Sequence, residues 1–324
     1  MPETGSPPPD TIRGLVIRAH GLWYEVLLVA EGVEDRVVLA TIRGQLKRLH
    51  RRTDIVAVGD YVYITLLPEA EAVIEFVEPR TRSLIRTARN TRDTDQIILA
   101  NPDQVLFVFA LHDPEPHLRM LDRFLILAEL QHLPVQLAIS KLDLGDGDPA
   151  NAAATIFRDY ERIYPVSYMS ARTGEGVSAL LSRLEGKMTV VAGPSGVGKS
   201  SLLNILDPNN MRDVGEISTA TGKGRHTTVG SRLHRIGKET FVADTPGIRA
   251  LAMHAVAPDR LPECYREFLP YLGDCFYQDC SHIQEPGCAL RAALEREEIP
   301  LARYESYVAL RTGEEMDGND RGEG

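Results

Sequence analysis

The chain has 324 residues, enough for two or three domains, and its 43% hydrophobic and 25% charged content suits a globular protein with real cores. No apolar run approaches the roughly 20 residues of a bilayer-spanning helix, and Met1 to Asp10 lacks the basic start and apolar centre of a secretory signal, so a cytoplasmic protein with no membrane partner is expected. The net charge of −10 does not exclude a polyanionic partner, because two segments expected to be disordered tails, 1–10 and 312–324, carry −2 and −4 of it.

From residue 11 to 79 the pattern is short β runs: Gly14-Leu-Val-Ile-Arg, Trp23 to Val29, Arg36-Val-Val-Leu-Ala, Tyr61-Val-Tyr-Ile-Thr and Ala72 to Val77. Turn signals such as His20-Gly21, Glu31-Gly32 and Gly59-Asp60 separate them. Five runs in that length predict a small five-stranded barrel of the oligonucleotide-binding (OB-fold) type, an RNA-binding domain. The basic stretch Arg43 to Arg52 falls on a connection within it. A basic linker follows over 80–95, whose arginines between Arg80 and Arg92 are each suited to contact phosphate.

From Gln96 the period changes to alternating β and α. Val105 to Ala110, Val135 to Ile139 and Pro165 to Met169 read as strands; Leu118 to Leu130, Ala150 to Ile163 and Gly176 to Leu184 read as helices. This predicts a doubly wound parallel sheet, whose ligands sit at the carboxyl ends of its strands. Two motifs lie there. Ser140-Lys141-Leu142-Asp143 occupies the place of the [NT]-K-x-D motif of P-loop GTPases, in which an Asp carboxylate accepts the N1–H and N2–H₂ of guanine; Ser140 stands where Asn or Thr is usual. Ser170-Ala171-Arg172 is similar to the S-A-[KR] element that supports the base.

The apolar run Met188 to Ala192 then leads into Gly193, Pro194, Ser195, Gly196, Val197, Gly198, Lys199 and Ser200, with Ser201 following. This is the G-x-x-x-x-G-K-[ST] phosphate loop, whose backbone N–H groups wrap phosphates. Lys199 is suited to the β- and γ-phosphates and the Ser200 hydroxyl to Mg²⁺. Ser218 to Thr228 is polar and glycine-rich, as expected of a switch loop that offers Thr227 or Thr228 to Mg²⁺ and the γ-phosphate. Thr240 to Ala243 is a strand ending in Asp244-Thr-Pro-Gly247, a D-x-x-G in which Asp244 holds Mg²⁺ through water and the Gly247 N–H meets the γ-phosphate. Ordinary GTPases run from phosphate loop to base-reading motifs. Here the base-reading motifs come first, so residues 96–253 are expected to form a circularly permuted α/β P-loop GTPase domain.

Residues 254–311 contain Cys275-x₄-Cys280-x-His282-x₅-Cys288. Three thiolates and one imidazole make a closed tetrahedral set for one structural Zn²⁺ in a small domain. Cys264 is left over and is expected to be buried. Pro262 to Leu272 and Ala289 to Leu310 read as flanking helices.

Barrel, permuted GTPase and this zinc domain together resemble the ribosome small-subunit-dependent GTPase A family (RsgA, also called YjeQ or YloQ), over nearly all of residues 11–311. Gly222-Lys-Gly-Arg-His-Thr-Thr228 and Asp244-Thr-Pro-Gly-Ile-Arg249 are similar to that family's switch sequences. The resemblance implies hydrolysis of GTP to GDP and phosphate, slow alone and stimulated by the small ribosomal subunit. It implies late 30S maturation as the role, the small subunit and its 16S rRNA as partners, and nucleotide state coupled to rRNA binding and release. A monomer is expected. Ile248 stands after Gly247, where many GTPases carry a water-orienting Gln; His226 is the candidate for that task. Three other readings differ in class: an RNA-binding factor that senses nucleotide but barely hydrolyses it; an ATP or mixed-nucleotide hydrolase, motivated by Ser140; and a zinc-stabilised nucleic-acid-binding protein with a dead phosphate loop, disfavoured because Lys199, Ser200 and Asp244 are all present.

Overall fold

The computed structural model describes residues 7–29, 36–43, 55–68, 71–86, 96–145, 147–207, 232–244 and 256–313. The first five strands are β1 (Ile12–His20), β2 (Trp23–Leu28), β3 (Val37–Ile42), β4 (Tyr61–Leu66) and β5 (Glu71–Val77). β1–β2, β2–β3 and β4–β5 pair antiparallel, β3 runs parallel to β5, and β1–β4 closes the ring. Alternation along β2 to β5 turns Val26, Val38, Ala40, Val62, Ile64 and Ile74 inward, and burying each large one contributes about 1.5–3 kcal/mol. This is the expected OB-like barrel.

The stretch expected to be a basic linker contains a strand from Ser83. β6 (Ser83–Arg86) pairs antiparallel with β7 (Gln96–Ala100). The barrel abuts this hairpin at Gly59, where a Cβ would stand 2.1 Å from the Ala100 carbonyl oxygen.

The remaining strands are β8 (Gln104–Ala110), β9 (Val135–Ser140), β10 (Val166–Tyr168), β11 (Met188–Ala192), β12 (Arg232–Arg235) and β13 (Phe241–Asp244). They lie in the order β10-β9-β8-β11-β13-β12, parallel except for the antiparallel β12–β13 pair. From β8 the chain proceeds to one side through β9 and β10, then returns to β8's other side as β11. That reversal creates the crevice where a doubly wound sheet binds ligands. β12 also pairs with β1, through Arg18 opposite Arg232, so sheet and barrel are one continuous hydrogen-bonded surface.

Helices α1 (Leu118–Leu130), α2 (Pro149–Ile156), α3 (Arg158–Glu161), α4 (Val177–Leu184) and α5 (Lys199–Leu206) cover the parallel sheet; α6 (Ala289–Glu295) and α7 (Leu301–Thr312) belong to the C-terminal part. In α1, Leu121, Phe124, Leu125 and Ala128 recur at helical spacing and join the core on the sheet. Asp122 and Ile126, four residues apart, are buried on another face, and Ile126 packs with Leu261, Tyr265, Phe268 and Tyr307 of the C-terminal part.

Three expected helices are corrected. Pro262 to Leu272 holds only short 3-10 turns, Pro262–Cys264 and Leu269–Tyr271. Tyr265 is extended between them, and Pro270 lacks the N–H an α-helix needs there. Ala150 to Ile163 breaks at Phe157, whose ring is fully buried, and Ala289 to Leu310 breaks before α7, where Glu297 has φ 58° and Pro300 is extended.

Candidate functional site

The fully buried strand β11 ends at Ala192 and delivers the phosphate loop to the crevice. At Gly193 a Cβ would lie 2.1 Å from the Val108 carbonyl oxygen of β8, so this approach admits only glycine. Gly196 and Gly198 have φ of 80° and 92°, and Gly198 caps α5. The loop presents Ser195, Ser200 and Ser201 exposed, with Pro194 half-buried and Val197 buried. Lys199 Nζ donates to the carbonyl oxygens of Gly193 at 3.0 Å and Pro194 at 2.5 Å. Its ammonium is thereby folded onto the loop it serves, at the N-terminus of α5, where unpaired N–H groups favour an anion.

Ser140 ends β9 and is 1% exposed. Its Oγ lies 2.5 Å from the Val197 carbonyl oxygen and 3.2 Å from that of Phe109. The hydroxyl therefore ties this strand end to the phosphate loop, 57 residues away in sequence. Lys141 has φ 60°; its ammonium donates to the Asp113 carbonyl and lies 3.7 Å from the Asp113 carboxylate. Leu142 is buried and opens a 3-10 turn. The Asp143 carboxylate accepts from Ser170 Oγ at 2.5 Å and from Arg172 Nε at 2.6 Å. Ser170 first, then Arg172, holds its carboxyl below the usual carboxylate range. Ala171, between them, is half-buried against the sheet core.

Sequence reasoning missed the loop His112–Glu115. It lines a cleft of about 800 Å³ with Leu144 and Ala152, and Pro114 Cδ comes 3.7 Å from where a Cβ on Gly196 would be. Its contacts with Lys141 and the phosphate loop exist only in the fold. Asp244 ends β13 opposite Val191 and Arg232, within the sheet that carries the phosphate loop. Its side chain lies outside the described residues, as do His226, Thr227, Thr228, Gly247 and residues 44–54.

Arg80, one of the arginines suited to contact phosphate, is engaged within the fold. Its guanidinium donates two 2.7 Å bonds to the fully buried Asp60 carboxylate, which also accepts from the Ala57 N–H. It pins the end of the barrel from within. Arg43, 58% exposed at its side chain, pairs with Glu75 at 2.9 Å.

In the C-terminal part the potential ligand atoms of Cys275, Cys280, His282 and Cys288 all lie within 4.8 Å of one another. Tetrahedral zinc with sulfur ligands needs separations of about 3.8 Å, so only small adjustments are required. His282 holds a left-handed φ of 63°, and its carbonyl accepts from Tyr304 Oη at 2.7 Å. The Glu285 carboxylate accepts the N–H groups of Ser281, Ile283 and Gln284, shaping the loop between ligands. Burial pushes the Cys280 thiol up to about 12, so the thiolate a metal needs is disfavoured until a cation compensates it. Cys264 is 2% exposed in the apolar core, as expected.

A buried charge cluster joins this part to the GTPase sheet. Arg303 of α7, fully buried, donates from Nε to Glu267 at 2.6 Å and from a terminal nitrogen to Asp122 of α1. Tyr160 Oη donates to the same Asp122 oxygen at 2.8 Å, and the guanidinium lies 4.5 Å from the Tyr265 ring centroid. Nothing in the local sequence of Arg303 marks it as buried.

A family model described as RsgA GTPase matches residues 77–254. The small ribosomal subunit biogenesis GTPase RsgA of Gemmatimonas aurantiaca is 43% identical over 301 residues, covering 92% of this chain and 96% of its own. Its counterpart in Geobacillus kaustophilus is 39% identical over 298 residues, covering 92% and 95%. The crystal structure of YjeQ from Thermotoga maritima superposes with a TM-score of 0.76 at 32% identity, covering 94% of this chain and 98% of that one. That of YloQ, described as a circularly permuted GTPase, gives 0.74 at 28%, covering 94% and 95%. With the phosphate loop following the Ser140 strand in sequence and meeting it in space, the chain belongs to the RsgA family of circularly permuted GTPases.

Proposed function

We propose that this GTPase acts on the small ribosomal subunit late in its maturation, binding 16S rRNA in one nucleotide state and leaving it in another. The observation that supports the reading is the Ser140–Val197 bond, which brings the Ser140-Lys-Leu-Asp143 strand end beside the phosphate loop. The names of the relatives supply the partner.

In this reading Asp143 accepts the donor edge of guanine, Ser170 and Ala171 support the base, and Lys141 covers it. Backbone N–H groups from Gly193 to Ser201 surround the phosphates, and Lys199 leaves its carbonyl partners to meet the γ-phosphate. Ser200 and Asp244 hold Mg²⁺, which neutralises phosphate charge when bound. The Gly247 N–H, Thr227 and Thr228 complete the γ-phosphate contacts, and His226 orients water. Ile248 has no polar group for that task, so turnover is slow until subunit contact brings His226 to bear on the water. Cys275, Cys280, His282 and Cys288 hold one Zn²⁺ with no ligand position left open, a structural ion.

GTP turnover by the full chain, with and without isolated small subunits across a salt series, tests the reading. Subunits are expected to raise turnover most at low salt, the signature of phosphate contacts. Turnover indifferent to subunits at every salt concentration overturns it. Competition between GTP and ATP decides nucleotide class, and Asp143→Asn is expected to abolish any preference for GTP.

A further inference from the structure

Arg172 is 71% exposed at its side chain, whereas the Asp143 side chain it grips is only 8% exposed. The carboxylate is thus almost wholly covered, while its guanidinium partner stands largely in solvent. One oxygen, Oδ1, takes the Ser170 hydroxyl at 2.5 Å; the other, Oδ2, takes Arg172 Nε at 2.6 Å, and a terminal guanidinium nitrogen reaches the Asp143 carbonyl at 3.5 Å. Guanine addresses a carboxylate through N1–H and the 2-amino group, two N–H donors attached to one carbon. A guanidinium carries the same N–C–N donor edge, with a full positive charge added.

We infer that Arg172 is a built-in stand-in for guanine: it occupies the Asp143 carboxylate and must be displaced for the base to bind. This rests on Asp143 reading guanine, as proposed above. Ser170 can remain, because it lies on a separate oxygen and a carboxylate offers about four acceptor positions. Arg172 sits on Oδ2, the oxygen that Ser170 leaves to a second donor, where an N–H of the base would otherwise bond. An exposed ion pair of this kind is weak and screened by salt, so it lowers guanine-nucleotide affinity without blocking it. Adenine presents no such donor edge, and its nucleotides gain nothing from removal of the arginine.

Equilibrium titration of the full-length protein with fluorescent GDP and ATP tests this, using the wild type, Arg172→Ala, Arg172→Lys and Asp143→Asn. Arg172→Ala is expected to tighten GDP about two- to five-fold at low salt. The gain should shrink as salt rises, be smaller in Arg172→Lys, and be absent for ATP. GDP affinity unchanged in Arg172→Ala overturns the inference while leaving the base reading intact. Weaker GDP binding also overturns it, making Arg172 a contact of the bound nucleotide. If Asp143→Asn keeps the wild-type ratio of GDP to ATP affinity, the base reading itself falls, and the stand-in with it.

Discussion

A serine hydroxyl has one proton, and Ser140 has two carbonyls within reach of it. The nearer, Val197, belongs to the phosphate loop, so a chemically small side chain connects two parts of the nucleotide site. Ser140→Ala leaves that carbonyl without its donor in a closed environment, an expected loss of about 1–2 kcal/mol measured by urea denaturation. GDP affinity should fall with it, because the loop loses its tether to β9; unchanged stability and affinity would show the bond to be idle. Asn and Thr, the usual residues at this position of the motif, also carry a donor. The phosphate loop was legible in the sequence because glycine spacing, lysine and a flanking strand–helix pattern are all local. The partner of Ser140 was not, since the bond crosses 57 residues and depends on sheet order.

Helix α1 illustrates the same limit for an element. Its apolar spacing predicts one buried face, and Leu121, Phe124, Leu125 and Ala128 supply it. Asp122, a carboxylate on another face of the same helix, is only 2% exposed, and Arg303 reaches it from α7, 181 residues later. Asp122 and Glu267 more than offset the cost of burying the guanidinium, holding it well above its ordinary value and charged. Arg303→Met removes the cation and leaves two carboxylates buried together. The expected cost is about 3–5 kcal/mol in thermal or chemical unfolding, since breaking one side of a buried pair strands the other. Arg303→Lys keeps the charge but loses the two-pronged hold on Glu267, and should fall between the two. The flanking helix expected over 262–272 failed for a related reason: Tyr265 and Phe268 are placed by stacking on each other and edge-on against Tyr307, not by helical continuity.

At the scale of the whole molecule, the two flanking parts are attached to the GTPase sheet by different physical means. The C-terminal part is held on α1 by a buried charge cluster and an apolar core, which favour one arrangement. The barrel joins through β1 and β12, where the paired residues are both arginines, a pairing that opposes itself electrostatically. Arg18 also pairs with Glu25 at 3.7 Å. β12 is also the first strand after residues 208–231, which contain the proposed switch, and it pairs with the strand ending in Asp244. A change in nucleotide state is therefore expected to reach the barrel through β12 and to leave α1 largely unchanged. Hydrogen–deuterium exchange of the full chain, with GDP against a non-hydrolysable GTP analogue, should show nucleotide-dependent protection in β12 and in Arg18 to His20 of β1. Amides of α1 and α7 should differ little between the two states. Equal changes in α1 and α7 would place the moving joint at the C-terminal part and leave the barrel as the fixed one.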